Sequence, residues 1–220
     1  MAILIKLQNI KVKKIKNFKK KFYKIPIYSK SLLFKEANLF SKWYVPYTFN
    51  NKKKLKIIKQ LKKIISSLLN KIELSNDTFV HRDFHVSNLM YKKKVISVID
   101  SQDAVYGNIA YDLASLIDDV RLRTSKNLKE KIFQKYLHLT KKKINVKKFK
   151  NDFEILSVLR SLKIIGIFTR LAKRDKKKQY LKLIPYAWEL IELRIKNNDI
   201  FKDLKKNLED NFPKKIRLKK

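Results

Sequence analysis

The sequence predicts an α+β fold that is mostly helical. Two observations carry this. Apolar residues recur at three- and four-residue spacing over most of the chain, and between Thr78 and Ile99 that pattern gives way to short apolar, partly β-branched runs. A third observation sets the scale: 220 residues with 45% hydrophobic side chains, 13 Phe and 10 Tyr suit one domain with a sizeable core.

Taken in order, the first twenty or so residues have a poor pattern. Ser31 to Phe40 and Lys52 to Glu73 then read as amphipathic helices, the second with Leu55, Ile58, Leu61, Ile65 and Leu68 as its apolar stripe. Thr78–Val80, Leu89–Tyr91 and Val95–Ile99 read as short strands, with a hairpin turn through Tyr91–Val95 whose tip has neither Gly nor Asn. Beyond Asp100 the helical period returns through Ala110–Val120, Leu128–Leu139, Lys147–Arg174 and Gln179–Ile195. Pro26, Pro46, Pro185 and Pro213 fall at element edges, and no repeat or linker divides the chain. Both ends are expected to fray.

No apolar run approaches the roughly 18 residues that span a bilayer, and the opening MAILIKLQNIKVKK lacks a signal-peptide pattern, so a cytoplasmic location is expected. There is no Cys, which excludes a disulfide frame, a thiolate nucleophile and a zinc ribbon. The net charge of +36 points towards nucleic acid or an anionic surface. Yet only eight of the 55 basic residues are Arg, and the lysines are spread along the whole chain rather than gathered in a module. AT-rich codons would give such a bias, a functional charge being the alternative, and nucleic acid is not expected as the main partner.

The informative stretch is FVHRDFHVSNLMY followed by VISVID. His81, Arg82, Asp83 and Asn88 fit the spacing HRDxxxxN of a phosphoryl-transfer loop, and Asp100 ends the next strand twelve residues after Asn88. An Asp and an Asn five apart on a loop between strands can face one phosphate from two sides. Asp83 can accept the proton of an acceptor hydroxyl, while Asn88 and Asp100 offer hard oxygens to Mg²⁺. His81 and Arg82 read as scaffold. His81 and His85 stand four apart, as in some zinc pairs, but Arg82 follows the first where a Glu is needed, and a loop carries both. His138, on a predicted helix, has no partner nearby in sequence.

HRDFHVSNLMY, VIDSQDAVYGNIAYDLASLIDDVR and LRSLKIIGIFTRLAKRD together resemble the aminoglycoside phosphotransferase family, nearest its bacterial N-acetylmuramate/N-acetylglucosamine kinase branch, over about Ile27 to Arg194. The resemblance implies a protein-kinase-like fold, of which this chain is the C-terminal lobe with a small β hairpin carrying the catalytic loop. It implies ATP and Mg²⁺ as cofactors and an amino sugar as acceptor, with Asp83 as catalytic base and Asn88 and Asp100 as metal ligands. Asp112 in AYDLASL then braces the loop, and Asp103 supports either the metals or the loop. His85, Arg160 and Lys163 are candidates for the acceptor sugar, although a solvated helix face suits Lys163 better. Ser101 departs from the family, which has an aromatic after the metal-binding Asp.

A nucleotide cradle needs glycines so that backbone amides can approach phosphate closely. The only glycines are Gly107 and Gly166, both after the catalytic loop, so the ATP-cradling N-terminal lobe has no counterpart here. The expected organisation is one C-lobe over 1–220: an incoming linker or helix at 1–25, a catalytic and substrate lobe at 26–200, and a basic tail at 201–220. Two readings follow. One is a catalytic lobe that works with a separately encoded N-terminal lobe. The other is a catalytically inactive, truncated relic or a basic helical binding protein.

Overall fold

A computed structural model describes residues 1–16, 18–49, 52–140 and 144–218. In chain order these form α1 (Ala2–Gln8), β1 (Lys14–Lys16), β2 (Phe22–Lys24), α2 (Lys30–Ala37), a π-turn (Phe40–Tyr44), α3 (Val45–Thr48) and α4 (Lys53–Asn70). There follow β3 (Thr78–Val80), β4 (Leu89–Lys92), β5 (Val95–Val98), β6 (Val105–Gly107), α5 (Tyr111–Ile117), α6 (Lys126–Thr140), α7 (Val146–Lys173), α8 (Ile184–Ile195), α9 (Lys202–Asn211) and α10 (Lys214–Arg217). The architecture is mostly helical with small antiparallel sheets. Among the described residues no helix is long and apolar enough to cross a membrane.

Where the sequence suggested one domain, the backbone groups into two compact units that interleave along the chain. Unit 1 takes 1–29 and 73–153, and unit 2 takes 30–72 and 154–220. Each is built from two separate stretches, so no change of composition marks the division.

Unit 1 holds the sheets. β3 pairs antiparallel with β6, register Phe79 to Tyr106, and both strands are buried. The segment before α2 extends this pairing: Tyr106 N–H donates to Pro26 O at 2.8 Å, and Tyr28 N–H donates to Tyr106 O at 2.7 Å. β4 and β5 form the expected hairpin, register Lys92 to Val95. Its tip residues Lys93 and Lys94 have φ of 48° and 64°, the two left-handed conformations of a type I′ turn. That turn matches the twist of paired strands, which prevails here over the cost of placing lysines at φ > 0. Gly107 serves packing: a Cβ there would sit 3.1 Å from Tyr28 Cβ and 3.2 Å from Val80 Cγ2.

Unit 2 is helical. Along α4 the buried positions are Ile57, Leu61, Ile65, Leu68 and Leu69. Leu55, expected in the stripe, is 64% exposed, because the face set by Ile57 and its i+4 and i+8 partners points it outwards. Phe40, Tyr44, Trp188 and Phe212 form an aromatic cluster with ring centroids 5.1–6.0 Å apart. Gly166 lets α7 meet the backbone at Leu39 and Phe40, where a Cβ would lie about 2.5 Å from Leu39 O and Phe40 N. Residues 201–218, most of the stretch read as a basic tail, instead fold onto this unit. Phe201, Leu204, Leu208 and Phe212 are fully buried, and Arg217 donates to Leu208 O and Glu192 Oε1. Their i, i+3, i+4 spacing supplies an apolar face that the surrounding lysines obscure in the sequence.

Candidate functional site

The HRD loop lies entirely in unit 1, between β3, which ends at Val80, and β4, which begins at Leu89. β5 runs back beside β4 and ends one residue before Ile99, so the two antiparallel pairings deliver the loop and Asp100 to the same end of the hairpin. Ile99 N–H donates to Asn88 O at 3.1 Å, which ties the two segments directly.

Within the loop, His85 N–H donates to Asp83 O at 3.0 Å and Asn88 N–H to His85 O at 2.9 Å. The Asn88 side-chain nitrogen donates to Asp83 O at 3.0 Å. A carbonyl can only accept, so this bond fixes the amide and directs Asn88 Oδ1 away, as an acceptor or metal donor. Asp83 and Asn88 are half-buried and Asp100 is exposed. Asp100 has φ of 67°, and Arg82, one residue before Asp83, has φ of 72°. Non-glycine residues in the left-handed region store backbone strain and persist only where the surroundings hold them.

Several of those holds are visible. Asp112, fully buried in the first turn of α5, accepts from His81 N–H at 2.7 Å and from Arg82 N–H at 3.1 Å. His81, also fully buried, places Nε2 3.0 Å from Ile99 O, which requires the Nε2–H tautomer. Arg82 donates from Nη1 to Asp103 O at 3.2 Å, and its guanidinium lies 5.3 Å from the centre of the Tyr28 ring. Tyr28 is itself braced by Tyr111, hydroxyl to hydroxyl at 3.0 Å. Asp103 thus meets Arg82 through its backbone. Gln102 Nε2 makes a short contact with Asp100 Oδ1, and Ser101 is exposed.

The acceptor candidates are not all placed in this unit. His85 is in it and buried. Arg160 and Lys163 lie on the unit 2 part of α7. Arg160 is 5% exposed, and its Nη1 has no hydrogen-bond partner among the described residues. Lys163 is not on a solvated face: its Nζ pairs with Glu36 at 2.8 Å, both side chains largely buried. The partner is 127 positions away in sequence, which is why spacing on the helix misread it.

Among the described residues no three His, Cys, Asp or Glu side chains gather into a metal cage. One carboxylate and one amide oxygen nevertheless suit Mg²⁺, which is held through one or two protein groups with substrate phosphates and water completing the octahedron. Of the concavities, one of about 340 Å³ between α4 and α9 is lined by Gln60, Lys63, Asp203 and Asn207 among others, and by none of the loop residues.

The model of the APH family, described as phosphotransferase enzymes, matches residues 26–144, which include every loop residue from His81 to Asn88 together with Asp100 and Asp112. The chain belongs to this family. It is similar to N-acetylmuramate/N-acetylglucosamine kinases of Neisseria meningitidis serogroup B (32% identical, covering 73% of this chain and 50% of that protein) and Pseudomonas aeruginosa (28%, 78% and 52%). A third, from Pseudomonas putida, is 31% identical over 73% of this chain and 49% of its own length. The chain spans about half the length of the curated relatives it matches.

Sequence reasoning missed two carboxylates that organise this region. Asp119, 1% exposed, accepts from Val86 N–H at 3.2 Å. Asp152, fully buried, accepts from Glu73 N–H, Leu74 N–H and Asn108 Nδ2 at 2.9, 2.8 and 2.6 Å, binding the entry to β3 to the residue after β6. The available signal was scarcity. In a chain of 19 acidic and 55 basic residues, an Asp inside an apolar helix or at its end is a candidate for a buried acceptor.

Proposed function

We propose that this chain is the catalytic lobe of an ATP-dependent phosphotransferase that phosphorylates a hydroxyl of an amino sugar of the N-acetylmuramate/N-acetylglucosamine class, in the cytoplasm. The observation that carries the reading is the hydrogen-bonded loop in which Asn88 Nδ2 donates to Asp83 O and the Ile99 N–H, next to Asp100 in the chain, donates to Asn88 O.

In this reading the acceptor oxygen attacks the γ-phosphorus of ATP, its proton passes to the Asp83 carboxylate, and the bond to the ADP oxygen breaks. Asn88 Oδ1 and Asp100 would hold Mg²⁺, which when bound neutralises phosphate charge. His81, Arg82 and Asp112 keep the loop in its strained shape, and Asp103 adds a backbone tie. His85 is assigned to the acceptor side. Arg160, with its unpaired Nη1, is the better acceptor candidate of the α7 pair, since Lys163 is engaged by Glu36.

The nucleotide cradle is assigned to a segment outside these 220 residues, in the same polypeptide or a separately encoded one. Support comes from the two glycines, both explained by close packing. The β4–β5 hairpin also exposes Tyr91 and Ile96, paired across the strands, on one face and Met90 and Val95 on the other, at 44–72% exposure, apolar surface of the kind that a covering lobe or a nucleotide base buries. The chain would then be the C-terminal lobe of a protein-kinase-like fold.

The test measures phosphate transfer from ATP to N-acetylmuramate, N-acetylglucosamine and an aminoglycoside, with and without a nucleotide-cradling lobe taken from a relative. Transfer to an amino sugar, lost on Asp83→Asn with far-UV circular dichroism unchanged, is expected. No transfer in any combination, or full activity in Asp83→Asn, refutes the reading and leaves the relic or basic-binder alternative.

A further inference from the structure

The candidate loop is tied at its entry by Asp112 and at its exit by Ile99, but Asn88 and Asp83 are separated by a turn that needs its own support. That turn, Val86–Asn88, is a single 3₁₀ turn with Val86 and Ser87 exposed. A 3₁₀ turn has weaker hydrogen-bond geometry than an α-helix and is seldom stable by itself. Its Val86 N–H donates to Asp119 Oδ2.

We infer that Asp119 is a positioning residue of this loop: its buried carboxylate holds the Val86 amide and thereby sets where Asn88 presents its oxygen relative to Asp83. The inference rests on the function proposed above.

The geometry behind it is a two-point clamp. Asp112 lies in the first turn of α5 and Asp119 two residues beyond its last residue, Ile117. The helix takes the amides of His81 and Arg82 at its first turn, and the segment that leaves its C-terminal end takes that of Val86. The loop is therefore gripped on both sides of Asp83 by α5 and the turn that directly follows it.

The far end of the clamp is itself fixed. Asp119 Oδ1 accepts from Arg121 N–H at 3.0 Å and pairs with Arg121 Nη1 at 3.4 Å, so both carboxylate oxygens are engaged. The adjacent Asp118 is buried and pairs with Lys129 Nζ at 3.1 Å, while the same ammonium donates to Ile117 O at 2.5 Å. This lysine satisfies the C-terminal carbonyl of α5 and locks that end to α6. A carboxylate is required because Val86 N–H and Arg121 N–H are both donors. An Asn at this position offers one acceptor oxygen and turns an NH₂ towards the other donor.

The experiment compares the full chain, supplied with a cradling lobe for kinetics, with Asp119→Ala, Asp119→Asn and Arg121→Ala. Hydrogen exchange at the Val86 amide is read by NMR, and transfer is read against Mg²⁺ concentration. Asp119→Ala should speed exchange at Val86 by about tenfold or more, leave amides within α5 protected, lower kcat by a similar factor, and raise the Mg²⁺ concentration for half-maximal rate. Asp119→Asn should fall between. Arg121→Ala, which keeps the Val86 bond, should change exchange there by less than about threefold.

Wild-type exchange at Val86 in Asp119→Ala overturns the inference. So does a uniform loss of stability and rate with an unchanged Mg²⁺ requirement, the mark of a merely structural residue. Should Asp119→Ala fail to fold, Asp119→Asn carries both readouts. If the wild-type chain transfers no phosphate, the functional reading fails, while the exchange measurement still decides whether the clamp exists.

Discussion

Replacing Asp112 by Ala perturbs the candidate site at its most constrained point. The carboxylate has no solvent exposure and accepts from two backbone amides, His81 N–H at 2.7 Å and Arg82 N–H at 3.1 Å. Alanine leaves both donors without an acceptor. An unsatisfied buried donor costs about 1–3 kcal/mol, so two together cost about 2–6 kcal/mol, less whatever water can enter to relieve. Asparagine keeps one acceptor oxygen and should cost about half as much. The site also releases the left-handed backbone at Arg82, since the φ of 72° next to Asp83 is held partly through the Arg82 amide. The assay is urea unfolding followed by far-UV circular dichroism, with the proposed phosphate transfer measured well below the transition in the presence of a cradling lobe. Asp112→Ala should lower the midpoint more than Asp112→Asn, and both should lose transfer activity while still folded. If Asp112→Ala unfolds within about 0.5 kcal/mol of wild type, the two amides are not held as the geometry requires, and the reasoning fails.

Two further outcomes are expected. Gly166→Ala should destabilise by about 1–3 kcal/mol or more, because the new methyl meets the Leu39 and Phe40 backbone rather than a side chain that can turn aside; an unchanged melting temperature counts against the close approach of α7. Burial raises the hydroxyl pKa of Tyr44, Tyr106 and Tyr136 above the ordinary value near 10, opposed at Tyr44 by hydrogen bonds from Trp188 and Thr48 and at Tyr136 by that to Gln8. The unfolded chain ionises near pH 10 while the folded one holds these protons, so stability should be complete below pH 10 and fall as pH rises beyond it. Spectrophotometric titration should show these three of the ten tyrosines ionising late, and a single transition near pH 10 for all ten would refute it.

What the sequence made legible was local. The helices α4, α6 and α7 declare themselves by apolar period, and the HRD loop by spacing between two β-branched or apolar runs. β6 was not legible because three residues, Val105–Gly107, are too few to set a period and their pairing with β3 is a long-range event. The exposed hairpin of β1 and β2 has no buried face to pattern it. Asp119, Asp152 and the Lys163–Glu36 pair were out of reach for a common reason: their partners lie 33 to 127 positions away, and nothing in local spacing signals them. The hairpin turn at Tyr91–Val95 was legible but its I′ type was not, since Lys93 and Lys94 contradict the turn that the strands impose.

The contrast between bases and acids bears on how the charge of this chain is to be understood. On α4, Lys53, Lys54, Lys56, Lys59, Lys62 and Lys63 accompany no acidic residue on the same helix. Like charges three and four apart, and cations in the first turn of a helix, each cost stability. The helix forms because Ile57, Leu61, Ile65, Leu68 and Leu69 are buried, and its lysines do not contribute to holding it. The carboxylates behave differently. Asp112, Asp118, Asp119 and Asp152 have at most 1% exposure, and each engages a backbone amide or a buried ammonium. A buried carboxylate is costly unless its partners are correctly placed, so each of these positions is specified by its surroundings. The specific chemistry of this chain therefore resides in its few acids, three of which lie on or beside α5, the helix that grips the HRD loop.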